Sequence, residues 1–131
     1  MSYTVNSHGK LVFAETAGPL AYQERESIVG ELAKLNDPPA GRGLIVDHQN
    51  AEITMELEEA FDFGKSIIQL QKTSPYDFIY VIASEQNRSL IDLPVMCAKI
   101  EGVSIEVCED TAEAFAKVSR SFPSHYESGL G

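Results

Sequence analysis

Three short apolar runs, separated by segments of helical period, constrain this chain more than any other feature. They are Gly43–His48 (Gly-Leu-Ile-Val-Asp-His), Phe78–Ala83 (Phe-Ile-Tyr-Val-Ile-Ala) and Val103–Cys108 (Val-Ser-Ile-Glu-Val-Cys). A strand buried on both faces reads as a near-continuous apolar run, whereas one with a solvated face alternates. Between the runs the period changes. Tyr22–Leu35 sets Ile28, Leu32 and Leu35 at helical spacing with Val29 beside them. Ile53–Gln71 carries the stripe Ile53, Leu57, Ala60, Phe61, Gly64, Ile67 and Ile68. Strands alternating with helices of this length predict right-handed crossovers and a mostly parallel sheet.

The remaining elements follow from punctuation. Tyr3–Asn6 and Lys10–Thr16 read as strands joined through a turn at Asn6–Gly9, an antiparallel hairpin at the sheet edge. Ala17-Gly18-Pro19 is a break, and Asn36-Asp37-Pro38-Pro39 and Ser74-Pro75 stop helices. Pro94 predicts that the third helix becomes regular only near Ser89–Leu93, ending at Gly102. Asp110 or Thr111 caps a last helix with Phe115, Val118 and Phe122 facing inward. The order is β-β-α-β-α-β-α-β-α, an α/β domain over residues 1–121, with 122–131 expected to form a flexible tail.

Composition narrows the function. A chain of 131 residues with 44% hydrophobic content suits one core. Its formal net charge is -10, spread along the chain. That argues against nucleic acid, which needs a Lys/Arg patch, and against an anionic membrane surface. No apolar run is long enough for an integral membrane span, and Met1–Val5 lacks the basic head and apolar stretch of a signal peptide. A cytoplasmic location is expected, with Cys97 and Cys108 as buried thiols rather than a disulfide.

Several local patterns resemble the STAS domain, the fold of bacterial anti-anti-sigma factors, and within it the SpoIIAA-like (STAS/SEC14-type) branch. The resemblance covers roughly residues 8 to 120. It rests on Gly18-Pro19-Leu20 before the first helix and on Leu44-Ile45-Val46-Asp47, a strand ending in aspartate. The Phe78–Ala83 and Val103–Cys108 strands and the Asp110–Phe115 segment (Asp-Thr-Ala-Glu-Ala-Phe) complete it. It implies a mostly parallel mixed sheet with one antiparallel edge hairpin. Its SEC14-like side implies, by analogy, an apolar pocket. Phosphorylatable members carry an Asp-Ser pair at the start of the second long helix. Here that stretch is Asn50-Ala51-Glu52-Ile53-Thr54-Met55-Glu56. Thr54 is its one hydroxyl, and it reads as a cap or first-turn residue.

No nucleophile elbow, Walker loop or dinucleotide-binding fingerprint is present. Asp47 and His48 lie at a strand's carboxyl end, where open α/β sheets bind ligands. Adjacent strand residues point to opposite faces, so the two converge only if the strand has ended. His8, His48 and His125 are not expected to form a metal site. Arg88 follows the second of the three runs and could hold a carboxylate or phosphate. Phe63 and Leu70 lie a heptad apart on the flank of the long helix's stripe, with Met55 off it, and fit either a wide buried stripe capped by the next helix or a partner or dimer surface. The expectation is a non-catalytic regulatory or interaction module without cofactor or metal, binding a protein partner or itself. A carrier of a small apolar or lipid ligand is the alternative.

Overall fold

The computed structural model describes residues 2–8, 11–33, 43–73 and 76–121. The expected turn at Asn6–Gly9, both proline stops, Phe122, His125 and the tail lie wholly or partly outside the described residues.

The strands are β1 (Ser2–His8), β2 (Leu11–Leu20), β3 (Gly43–Ile53), β4 (Phe78–Ile82) and β5 (Ile105–Cys108). The helices are α1 (Tyr22–Ala33), α2 (Leu57–Thr73), α3 (Glu85–Ile100) and α4 (Thr111–Ser121). The sheet runs β1-β2-β3-β4-β5. β1 and β2 are antiparallel and every later pair is parallel. Because each crossover steps the same way, right-handedness places α1, α2 and α3 in one layer. Their side chains share a core with Val12, Leu44, Ile79, Val81 and Ile105. α4 lies on the other face, where Ala114 and Val118 meet Ile45, Phe78, Tyr80, Ile82 and Cys108.

β3 and β2 run further than the sequence suggests. A register shift opposite Thr16 pairs Glu15 with Asp47 but Ala17 with Asn50, so β3 carries an extra residue. Such a bulge flips the alternation. Leu44, Val46 and His48 face the three helices before it, and Ala51 and Ile53 face them after it. β2 continues past the expected break because Gly18 takes φ +81°, a conformation open to glycine at little cost.

α2 therefore starts at Leu57, not Ile53. Its first turn is set by the Glu59 carboxylate, which accepts the Glu56 N–H at 2.9 Å. α3 starts at Glu85 and keeps Pro94 inside it. The proline forfeits a helical hydrogen bond to the Leu90 carbonyl. Burial of Pro94 against α2 offsets that loss, at a point where α2 has no side chain. A Cβ on Gly64 would stand 3.0 Å from Cys97 Cβ and 3.3 Å from the Pro94 carbonyl oxygen. Gly64→Val is expected to push the helices apart and lower unfolding free energy by about 1–3 kcal/mol, read from the urea midpoint.

In α4 the cap is Asp110, whose carboxylate accepts the Glu113 N–H at 2.8 Å. Phe115, expected inside, is partly exposed and stacks on Phe13 at 6.2 Å. Cys108 is buried, Cys97 half-buried on the α2–α3 seam, and both are free thiols.

Candidate functional site

The long helix presents a different face from the one its periodicity suggests. α2 buries Ala60, Phe63, Gly64, Ile67 and Leu70. Phe63 and Leu70 are only 9% and 3% exposed, so they are core residues and cannot form a partner surface in the folded protein. The physical reason is the Gly64 contact, which rotates the helix toward α3. It leaves Leu57 and Phe61 outside, 66% and 45% exposed. Phe61, Gly64 and Ile68 continue from Leu57 down the flank that meets α3. Leu93, Met96 and Ile100 line the solvent side of α3 at i, i+3 and i+7, with Met96 and Ile100 at 55% and 76% exposed. Between the helices, Met55, Leu57, Ala60, Leu90 and Leu93 line a surface groove of about 240 Å³. Glu56 just before α2, and Glu58, Glu59 and Asp62 on its first turns, flank Leu57 and Phe61 in the chain.

A second constellation lies inside. Arg25 is 1% exposed. It donates to the Leu20 carbonyl at 2.8 Å and the Thr54 carbonyl at 2.9 Å, and its guanidinium lies 5.7 Å from the Phe63 ring centroid. Arg25 thus pins the ends of β2 and β3 beneath α1. Beside it the Thr16 hydroxyl donates to the Asp47 carbonyl at 3.2 Å and lies 2.7 Å from His48 Nδ1. The tautomer of the ring decides which partner gives the proton in the shorter of these two contacts. Burial, and secondarily the Arg25 charge, lower the His48 pKa from 6.5 to about 4. The ring is therefore neutral at pH 7. Arg25 and His48 border an apolar cavity of about 50 Å³ that reaches Leu44, Ile67, Val81 and Ile105.

Asp47 does not join them. Its carboxylate accepts the Gln49 N–H at 2.9 Å, and the Gln49 amide donates on to Thr111 at the start of α4. The strand has not ended at Asp47, so the sheet separates it from His48. Thr54 is an exposed residue between β3 and α2, outside the helix it was expected to cap or open. Arg88 lies on α3, 3.9 Å from both Asp92 and Glu109. Asp47, His48 and Arg88 thus occupy three environments and converge on no common point. Among the described residues no cluster of three or more His, Cys, Asp or Glu is placed to hold a metal, and no helix is long and apolar enough to cross a membrane.

Sequence reading missed Arg25, masked by Glu24 and Glu26. The available signal was its spacing, since Arg25, Ile28 and Leu32 stand at i, i+3 and i+7 on the buried stripe.

The overall arrangement has a crystallographic counterpart. An uncharacterised Shewanella loihica PV-4 protein of the DUF3478 family, described as having a SpoIIAA-like fold, aligns over 88% of this chain and 90% of its own. The TM-score is 0.53 at 12% identity. This chain has a SpoIIAA-like fold. At that identity the likeness concerns the SpoIIAA-like architecture alone. A second structure, described as Mglu, covers 82% of this chain and 19% of its own at 17% identity, with a TM-score of 0.34 that carries no argument. No protein-family model and no curated protein matches the sequence.

Proposed function

We propose that this SpoIIAA-like domain is a non-catalytic interaction module whose docking face is the solvent side of α2 and α3. The observation that carries it is the exposure of Leu57, Phe61, Met96 and Ile100 on two adjacent helices. Large apolar side chains clustered within a polar rim mark interaction sites. The rim decides the occupant. Glu56, Glu58, Glu59 and Asp62 favour a partner protein with an apolar strip flanked by lysine or arginine. They disfavour a second copy, which would bring the same acids and a net charge of -10 against them.

The test is Leu57→Glu with Phe61→Glu. Each anchor contributes roughly 1.5–3 kcal/mol when fully buried. The double variant is therefore expected to weaken a purified partner at least ~100-fold by calorimetry while keeping its own melting temperature. Unchanged affinity, or a partner mapped by amide shifts to another face, would overturn the assignment.

The cavity beside Arg25 and His48 favours a second reading, a small apolar ligand. At about 50 Å³ it has room for water rather than a lipid chain. An engineered cavity that binds benzene is roughly 150 Å³. A ligand mass retained in native mass spectra of protein from its own host would reverse the order of the two readings.

A further inference from the structure

We infer that a second copy of this chain pairs with the open edge of β1, the two β1 strands running antiparallel about a twofold axis at Val5. This surface is separate from the α2–α3 face and does not depend on it.

The edge strands of the sheet are β1 and β5. β5 is blunted, being four residues long with Ile105 only 2% exposed. β1 is seven residues long and keeps an unbroken register with β2, from Ser2 opposite Ala17 to His8 opposite Leu11. In an antiparallel pair, alternate residues spend their N–H and C=O groups on the neighbouring strand. The others in β1 therefore turn theirs outward, the template on which an added strand pairs. Natural edges are guarded by lysine or other charges, by proline or by a bulge. Ser2–His8 (Ser-Tyr-Thr-Val-Asn-Ser-His) contains no Lys, Arg, Asp, Glu or Pro, and its register has no bulge. Tyr3 and Val5 pack half-buried against the three-helix side, so Thr4 and Asn6 lie exposed on the opposite face.

Charge and symmetry select the occupant. A net charge of -10 opposes self-association wherever the acids are dense, but Ser2–Ser7 carries no formal charge. An antiparallel pair is its own twofold complement. With the axis at Val5, all seven residues of the strand are paired. Val5 meets Val5 of the second copy, Tyr3 meets Ser7, Thr4 meets Asn6 and Ser2 meets His8. The centre is a β-branched pair on the half-buried face, and the exposed face carries neutral hydrogen-bonding pairs, both favourable across strands. Glu15 stands opposite Thr4 on β2. Its copy would lie three strand spacings across the joined sheet, about 14 Å, beyond the screening length of roughly 8 Å at physiological salt. Glu31 on α1 accepts a hydrogen bond from the Tyr3 hydroxyl, which ties that carboxylate to its own chain.

Sedimentation velocity of the full chain in physiological salt tests this. The chain is expected to pass from monomer to dimer between about 10 µM and 1 mM, the range of a small interface. Over the same range, hydrogen exchange is expected to slow within Tyr3–Ser7 and to stay constant in α2. Thr4→Glu with Asn6→Glu sets like charges opposite each other at exposed positions and is expected to weaken the dimer at least ~10-fold. Thr4→Lys with Asn6→Lys is expected to do the same. An equal mixture of the two double variants is expected to dimerise again, which loss of folding in either one would prevent. Leu57→Glu with Phe61→Glu is expected to leave the dimer intact, which separates this edge from the α2–α3 face. A native chain that stays monomeric at about 1 mM, a dimer indifferent to both charged pairs, a mixture that stays monomeric, or protection arising on another face would overturn the proposal.

Discussion

Replacing Arg25 with methionine is expected to lower the unfolding free energy by about 3 kcal/mol, and replacing it with alanine by about 5 kcal/mol. Methionine keeps a flexible apolar stem beside Phe63 but removes the bonds to the Leu20 and Thr54 carbonyls. A hydrogen bond from a charged donor contributes roughly 1.5–3 kcal/mol. The Leu20 carbonyl retains a second donor, the Thr54 N–H at 3.3 Å, so the loss falls mainly on the Thr54 carbonyl. Relief of the buried charge acts the other way. Where a whole buried ion pair is exchanged for apolar residues, that relief can cancel the loss. Backbone carbonyls cannot be exchanged, so the sign remains destabilising. Alanine also empties space next to the existing cavity, which adds the cost of an enlarged void. Urea unfolding of both variants checks this. A loss below about 1 kcal/mol for Arg25→Met would show that dehydrating the guanidinium cancels its hydrogen bonds.

Arg25 also marks where sequence reading stops. Element order, the antiparallel edge hairpin and the parallel runs were legible because buried strands and amphipathic helices leave different periods in the sequence. The rotation of α2 was not. Apolar or small residues at 57, 60, 61, 63, 64, 67, 68 and 70 cover well over half its circumference, so several overlapping stripes fit one 3.6 period. The choice between Phe61 and Phe63 depends on Gly64 meeting Pro94 and Cys97, a contact between segments thirty residues apart. The end of β3 was hidden for a related reason. Gln49-Asn50-Ala51-Glu52 looks polar without the bulge that turns Ala51 and Ile53 inward. Of the residues singled out as site candidates, Arg88 keeps a surface position beside a groove, and His48 borders the interior cavity. Phe63 and Leu70 pass their proposed role to Leu57 and Phe61 on the same helix.

His48 makes the fold acid-sensitive, and by an amount the structure sets. Its folded pKa is lowered from 6.5 to about 4. Below pH 6.5 the unfolded chain takes up a proton that the folded chain refuses until about pH 4. The unfolded state thus binds more protons in this window, and stability falls as pH falls through it. The full contribution is present above pH 6.5. About 3 kcal/mol of it is gone by pH 4, because each tenfold difference in proton affinity between the two states is worth about 1.4 kcal/mol. Carboxylates titrate nearby, so the measurement is the difference between the native protein and His48→Gln. The native protein is expected to lose stability more steeply between pH 6.5 and 4, and parallel curves would show that His48 is not buried neutral. Arg25 separates the two reasons the ring resists protonation. Burial is the larger and the Arg25 charge the smaller. In Arg25→Met the His48 ring, followed by its Cε1–H resonance, should titrate closer to 6.5 while remaining below it. A return all the way to 6.5 would mean that water enters once the guanidinium is gone, so that Arg25 keeps His48 dry as well as holding the strand ends.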